Sequence, residues 1–235
     1  MHGYSSVFAS DIGVICSTDK EANLLSKELS SLSIENVHNR NVVKGQIKGK
    51  NIVVIVSRMG KAMNAATAQF LYDYYHTDQI VSVGFSASVD NAFKPGDVVF
   101  ALEAGYHDYG AYKPYGFVRR ADILHREDKK LDRLFSSWVS ANKGKLIKIA
   151  SGEQFIESTK KRDWIRKTAN AQAVDMSSAA IYDVCVFNGI SCGFIRQISD
   201  NADETGQENF KQSIKEGGAM KAVAALKKYF SEFTE

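Results

Sequence analysis

The sequence predicts an α/β fold: a three-layer sandwich in which helices cover both faces of a central mixed, mostly parallel sheet. Two observations predict it. Apolar runs of strand length, such as "DIGVIC" (11–16), "QIVSVG" (79–84) and "SCGFIRQIS" (191–199), carry few polar residues, as strands buried on both faces do. Between them lie longer stretches with apolar residues at helical spacing, and strands interleaved with helices argue for a covered, largely parallel sheet. At 235 residues, 44% of them hydrophobic, the chain is long enough for one core of its own. Residues 11–235 are therefore read as a single domain, and 1–10 ("MHGYSSVFAS") are left unassigned.

In chain order, 11–16 reads as a buried strand, and "KEANLLSKELSSL" (20–32), with Leu24, Leu25, Leu29 and Leu32, reads as a helix. "NVVKGQIKGKNIVVIVS" (41–57) reads as two strands around a Gly-Lys turn, 62–75 as a helix and 79–84 as a buried strand. Further strands are expected at 96–104, 146–151 and 191–199, and further helices near 128–141, 177–188 and 207–230.

Composition narrows the function. Thirty basic and 27 acidic residues leave a formal charge of +3, and the Lys and Arg are spread without a dense block, which gives no support to nucleic-acid binding. No apolar run approaches the roughly 18 residues of a membrane span, and no targeting segment of the basic-then-apolar kind precedes the first strand. Cys16, Cys185 and Cys192 are odd in number, far apart and set among apolar neighbours, so buried thiols are expected. That suits a reducing, cytoplasmic location. Export is the alternative if residues 1–10 are the remnant of a precursor rather than a vector scar.

In open α/β sheets ligands bind at the carboxyl ends of the strands, so polar residues that terminate apolar runs are the candidates. Four ends stand out: "CSTDKEAN" (16–23), "GFSASVD" (84–90), "SGEQFI" (151–156) and "RQISDNADE" (196–204). Each has a purely structural alternative. Thr18 and Glu21 form T-x-x-E, a helix capping box, and Asp200 fits a turn or cap.

These ends occur in the order and spacing of a known family. The chain resembles the 5'-methylthioadenosine/S-adenosylhomocysteine nucleosidases of the purine nucleoside phosphorylase superfamily. The resemblance runs from about Ile12 to Phe230, through "IGVICSTDKEANLL", "SRMGKAMNAATA" (57–68), "KPGDVVFALEAGYHD" (94–108), "SGEQFI", "VDMSSAAI" (174–181) and "IRQISDNAD" (195–203). It implies hydrolysis of the bond between adenine and a 5'-thio-substituted ribose. Asp200 would then protonate N7 of the purine, Glu21 would hold and activate the water, and Arg196 would lie near it. Phe155 would stack on the base, the backbone of Ile156 would read the purine edge, and Met176 would lie against the sugar. Met59 joins the substrate-binding set. The resemblance implies no metal and no organic cofactor, a small purine nucleoside as ligand, and a homodimer.

Two departures qualify it. Where the family has a glutamate that binds the ribose hydroxyls, this chain has Ser177, so a charge-assisted hydrogen bond of about 1.5–3 kcal/mol is missing. At "GFSAS" the family's serine falls on Phe85 by ungapped counting or on Ser86 after one shift. Phe85 would fill an anion pocket and disfavour phosphorolysis; alternatively its ring joins the core and Ser86 keeps the role. Tyr106, Tyr109, Tyr112 and Tyr115 recur every three residues, a period foreign to ordinary helices and strands. They read as a surface loop, or as aromatics at the interface and pocket mouth. His107 and Asp108 follow the family's "YHD" in either a structural or a catalytic role. The expected function is a purine nucleoside N-ribosyl hydrolase releasing adenine, with altered sugar preference or reduced activity; the alternative is a catalytically impaired nucleoside-binding paralogue.

Overall fold

A computed structural model describes residues 11–120 and 129–232 of the chain. The unassigned segment 1–10, and the first residue of the helix expected from 128, lie outside the described residues.

The elements in chain order are β1 (Ile12–Cys16), α1 (Asp19–Ser26), β2 (Ser30–Val37), β3 (Arg40–Ile47), β4 (Lys50–Val56), α2 (Lys61–Tyr75), β5 (Gln79–Ser88) and β6 (Val98–Tyr106). There follow β7 (Gly110–Lys113), β8 (Gly116–Arg119), α3 (Lys130–Ala141), β9 (Leu146–Ser151), α4 (Thr159–Ala169), β10 (Ala173–Asp175), α5 (Ser178–Asn188), β11 (Ser191–Ile198), α6 (Gly206–Lys215) and α7 (Met220–Glu232).

Nine strands form one mixed sheet in the order β10-β9-β6-β11-β5-β1-β4-β3-β2. The central strands are parallel: β1 with β4 and β5, and β5 with β11. Antiparallel pairing enters where β11 meets β6 and along β4-β3-β2. β10 also pairs with β5, Ala173 opposite Ser88, which curls one half of the sheet back on itself and brings the segment after β10 beside the end of β5. Each face carries helices, as expected. One core packs Leu25 of α1, Phe135 of α3 and Leu226, Tyr229 and Phe230 of α7 against Val14, Val54 and Val83. The other packs Ala68 and Leu71 of α2 and Ile181 and Cys185 of α5 against Ile15, Ile55 and Phe194.

Several elements depart from expectation. The helix read over 20–32 ends at Ser26, and 30–37 is an edge strand paired with β3. Three serines at 30, 31 and 33 favour no helix, Ser31 has φ 52°, and the leucine spacing misled because Leu32 is exposed rather than packed. The turn between β3 and β4 is at Lys48-Gly49, both with positive φ, as a two-residue hairpin requires. The helix read over 207–230 is two helices, broken at Gly217 and Gly218, whose φ values of 136° and 74° cannot continue a helix. The tyrosine-rich stretch is a hairpin, β7 with β8, which leaves Tyr112 and Tyr115 at its tip 85% and 81% exposed. Tyr106 instead ends β6 and donates to Asp183 Oδ2 at 2.7 Å. β10 and α4 were not expected at all. A three-residue strand carries no periodicity, and α4 ("TKKRDWIRKTA") buries only Ile165 and Ala169.

Candidate active site

The polar strand ends do converge. A cavity of about 250 Å³ opens where β1, β4, β5, β9, β10 and β11 end, lined by the segments that follow them and by α6. Eight of the ten candidate residues line it: Met59, Phe85, Ser86, Phe155, Ile156, Met176, Ser177 and Asp200. The size suits one small molecule, and ligand sites are commonly apolar with a few placed polar groups.

Asp200 arrives at the cavity from the end of β11. Its segment is pinned by main-chain bonds to β5, Ser88 N to Asp200 O at 2.8 Å and Ser199 N to Ser86 O at 3.0 Å. The carboxyl is only 1% exposed and accepts from Ser199 Oγ (2.7 Å) and from Ala202 N (2.9 Å). Burial raises its pKa despite these two donors, and the charges of Asp203 and Glu157 add to the rise. Gly206, which opens α6, is placed so that a Cβ would lie 3.2 Å from Asp200 Oδ1 and 3.7 Å from Phe155 Cε1. A glycine there lets α6 close over the acid and the ring.

Glu21 and Arg196 do not line the cavity; both sit one layer behind it. The reason for Glu21 is the capping box. Its Oε2 accepts from Ser17 N and Thr18 N, each at 2.9 Å, while Thr18 Oγ1 accepts from Glu21 N, so the carboxylate is tied beneath the Ser17-Thr18 turn that forms the wall. Oε1 is buried with no hydrogen-bond partner. Burial raises the Glu21 pKa, opposed by the amides of Thr18 and Ser17, by the Ala219 amide close by without a well-formed bond, and by Arg196. A buried carboxylate with one satisfied and one orphaned oxygen can cap a helix and still take a proton through the free oxygen.

Arg196 is the largest fully buried side chain. Its Nε pairs with Asp175 Oδ2 at 3.1 Å, Nη1 donates to Ser82 O at 2.8 Å, and Nη2 donates to Ser178 Oγ at 2.8 Å and Ser82 Oγ at 3.1 Å. A long bond of 3.4 Å from Nη2 reaches Ser177 Oγ. Asp175 accepts in addition from the hydroxyls of Ser151 and Ser178 and the amides of Ser177 and Ser178. Burial alone would raise its pKa, but Arg196 and these donors overcome it and hold Asp175 below the usual range. The pair is thus internally neutral, and Ser177 meets the cavity with a hydroxyl, half-buried, at the N-cap of α5.

At "GFSAS" both residues in question face the cavity. Phe85 also packs edge-on to Phe210, with ring centroids 5.7 Å apart, and joins the core on its side of the sheet. Ser86 is buried, and its Oγ has no partner. Phe210, from α6, also touches Phe155 at 5.5 Å, so three rings line one side. Phe210 was missed because a lone Phe in "ENFKQSIK" looks like an ordinary core anchor. Asp175, within "VDMSSAAI", and Arg58 and Asn64, within "SRMGKAMNAATA", also line the cavity, and no local spacing marks them as site residues. His107 is fully buried with neither ring nitrogen bonded, which lowers its pKa to about 4. Asp108 binds Lys61 Nζ at 2.8 Å. Neither residue lines the cavity. Among the described residues, no group of three His, Cys, Asp or Glu side chains could hold a metal ion.

Comparison with known proteins identifies the family and the fold. The sequence profile of the Phosphorylase superfamily matches residues 11–235. The chain is 28% identical to a 5'-methylthioadenosine/S-adenosylhomocysteine nucleosidase of Buchnera aphidicola, covering 86% of this chain and 83% of that one. It is 27% identical to one of Staphylococcus aureus, covering 92% and 98%. Among solved structures it superposes on an S-adenosylhomocysteine nucleosidase of Streptococcus pyogenes with a TM-score of 0.85, 24% identity and coverage of 98% and 100%. It also superposes on a futalosine hydrolase of Helicobacter pylori, with a TM-score of 0.79, 23% identity and coverage of 93% and 98%.

Proposed function

The chain belongs to the phosphorylase superfamily, and on that footing we propose that it is a purine nucleoside N-ribosyl hydrolase that releases adenine from 5'-substituted adenosines. The observation that carries this reading is Asp200: a buried carboxyl of raised pKa, at a strand end, in a cavity walled by Phe155 and Phe210. Breaking the bond between C1' and N9 pushes its electron pair into the purine. A proton delivered to N7 neutralises that charge and makes the base a good leaving group. A carboxyl that keeps its proton at higher pH than an ordinary aspartate suits that task.

The sugar left behind is an oxocarbenium-like cation. A water adds to C1', and its proton passes to Glu21 through the oxygen that capping leaves free. Arg196 acts as a positioning residue: locked to Asp175, it holds the floor under the sugar and keeps Glu21 from being too basic. Phe155 stacks on the base, the Ile156 backbone reads its edge, and Met176 packs on the ribose. Phe85 and Phe210 present apolar rings to the cavity, a surface that favours water over phosphate as the nucleophile. Ser177 gives the ribose hydroxyls a neutral partner, so the reaction on 5'-methylthioadenosine is slow and sugars lacking a hydroxyl are tolerated.

The same serine supports a second reading, a nucleoside-binding protein with vestigial catalysis. A screen of adenosines varied at the sugar and the 5' position, run with and without phosphate, separates the readings. Hydrolysis gives free adenine at a rate indifferent to phosphate; phosphate dependence means phosphorolysis, and binding without base release means the second reading.

The assembly proposed is a homodimer that covers α2 and the β7-β8 hairpin, supported by the exposed Met63, Tyr74 and Tyr112. Free, buried Cys16, Cys185 and Cys192 support a cytoplasmic site of action.

A further inference from the structure

Apart from Asp200, whose burial favours the protonated carboxyl, the interior of the cavity is electrically quiet. Asp175 is neutralised by Arg196, and Ser17, Ser57, Ser86 and Ser177 are uncharged. Charge reappears at the mouth, where β4 runs into α2. Arg58 lines the cavity there and is exposed; its carbonyl accepts from Ser57 Oγ and Asn64 Nδ2, but its guanidinium forms no hydrogen bond or ion pair with any described residue. Across from it stands Glu153. Its Oε1 accepts from Lys61 N at 2.7 Å, which fixes the carboxylate against the start of α2, while Oε2 has no partner among the described residues. A Cβ added at Gly60 would lie 3.1 Å from that Oε2, so the carboxylate is held directly over the Arg58-Met59-Gly60 turn. Arg58 and Gly60 are two residues apart, so their Cα atoms are separated by no more than about 7 Å. The backbone thus brings the two residues to the same turn, and their side chains form no ion pair with each other.

An unpaired cation and an unpaired anion side by side at the rim of an apolar cavity match a ligand that carries both charges close together. Sheet order says which end of the ligand that is. The base-protonating carboxyl follows β11, and Arg58 follows β4, three strands along in the order β11-β5-β1-β4. At about 4.8 Å per strand this is roughly 14 Å, longer than a purine with its ribose, so Arg58 lies beyond the sugar on the 5' side. Met59, 65% exposed, lines the cavity next to Arg58 and offers an apolar surface there.

We propose that Arg58 and Glu153 read a zwitterionic amino-acid group on the 5' substituent, Arg58 the α-carboxylate and Glu153 the α-ammonium. The site then favours S-adenosylhomocysteine over 5'-methylthioadenosine. The inference rests on the hydrolase reading for the ligand's orientation and adds the residues that choose among its substrates. Discrimination appears in KM rather than kcat, because the rim charges meet the substrate equally in ground and transition states. It weakens as salt rises, because both groups are exposed.

The experiment compares S-adenosylhomocysteine, its analogue lacking the α-carboxylate, and 5'-methylthioadenosine. The kcat/KM ratios are taken with wild-type protein, and dissociation constants with Asp200→Asn, in which hydrolysis is off. An exposed charge-assisted contact should make S-adenosylhomocysteine the better ligand by about tenfold, and Arg58→Met should remove most of that advantage. Arg58→Met should not change the ratio between the analogue and 5'-methylthioadenosine, while Glu153→Gln should lower it. If Arg58→Met shifts the S-adenosylhomocysteine preference by less than about threefold, the inference is overturned. Should discrimination hold in binding while no nucleoside loses its base, the hydrolase reading fails and the rim assignment stands. Base release with no discrimination does the reverse.

Discussion

Replacing Ser177 by glutamate should raise adenine release, and the size of the gain follows from what surrounds the residue. Ser177 lines the cavity as the N-cap of α5, with φ −144° and ψ −45°, and its Oγ makes no capping bond to α5. Its contacts to lose are weak: Oγ lies 3.3 Å from Asp175 Oδ2 and 3.4 Å from Arg196 Nη2. The stability cost of losing them is therefore about 1 kcal/mol or less. The new carboxylate stands near a second anion, Asp175, but Arg196 lies between charges and already offsets one of them. The return is larger. A carboxylate that accepts from a ribose hydroxyl gains about 1.5–3 kcal/mol per bond, and it faces a sugar whose positive charge grows toward the transition state. One such bond realised only in the transition state is worth roughly tenfold to a hundredfold in rate. The assay is adenine release from 5'-methylthioadenosine, with nucleoside binding and thermal unfolding measured on the same preparations. A variant that folds, binds the nucleoside and gains nothing in rate would refute the reasoning and favour the binding-protein reading.

Other expectations follow from the buried charges. Arg196→Met leaves Asp175 buried and unpaired and should cost about 3–5 kcal/mol in urea unfolding, with Asp175→Asn in the same chain restoring part of it. Because folding holds the Asp175 pKa down, its contribution is present above the unfolded value and lost as pH falls through the folded one, so the single variant should show a flatter acid limb. His107, held down to about 4 from its ordinary 6.5, stays neutral in the fold while the unfolded chain takes up a proton. Stability should thus fall as pH drops from about 6.5 toward 4, by about 3 kcal/mol, and His107→Leu should abolish that loss. Burial raises Asp200 and Glu21 together, and the acid must be protonated while the base is not. Activity should therefore rise with pH through the pKa of Glu21 and decline through that of Asp200, and Glu21→Gln should remove the rising limb.

The sequence foretold the layers and the strand ends because both depend on burial pattern. β1, β5 and β11 are buried along most of their length, and a strand covered on both faces leaves its polar residues only at its ends. Where burial is partial the pattern blurs. β2 has no buried residue, and its first three residues read as the end of the helix over 20–32, while α4 hides one narrow stripe. For the site, eight candidates met at the cavity, but depth was not legible. T-x-x-E announced the cap of α1 without revealing that capping would draw Glu21 behind the wall. Asp175 as the partner of Arg196 depends on β10 pairing with both β9 and β5, a three-dimensional closure that no local spacing encodes. The rim charges Arg58 and Glu153 lie 95 positions apart and meet only because Glu153 binds the first amide of α2.

The central claim is that Asp200 gives a proton to a departing adenine. It is tested most directly by mixing excess protein with 5'-methylthioadenosine and following free adenine for wild type and Asp200→Asn, with calorimetry confirming that both bind. Because asparagine keeps the shape and the contact to the Ala202 amide but has no carboxyl proton to give, the account predicts adenine from the wild type and a loss of at least about a hundredfold in the variant. Equal rates in the two proteins, or binding by both with no adenine from either, would contradict it.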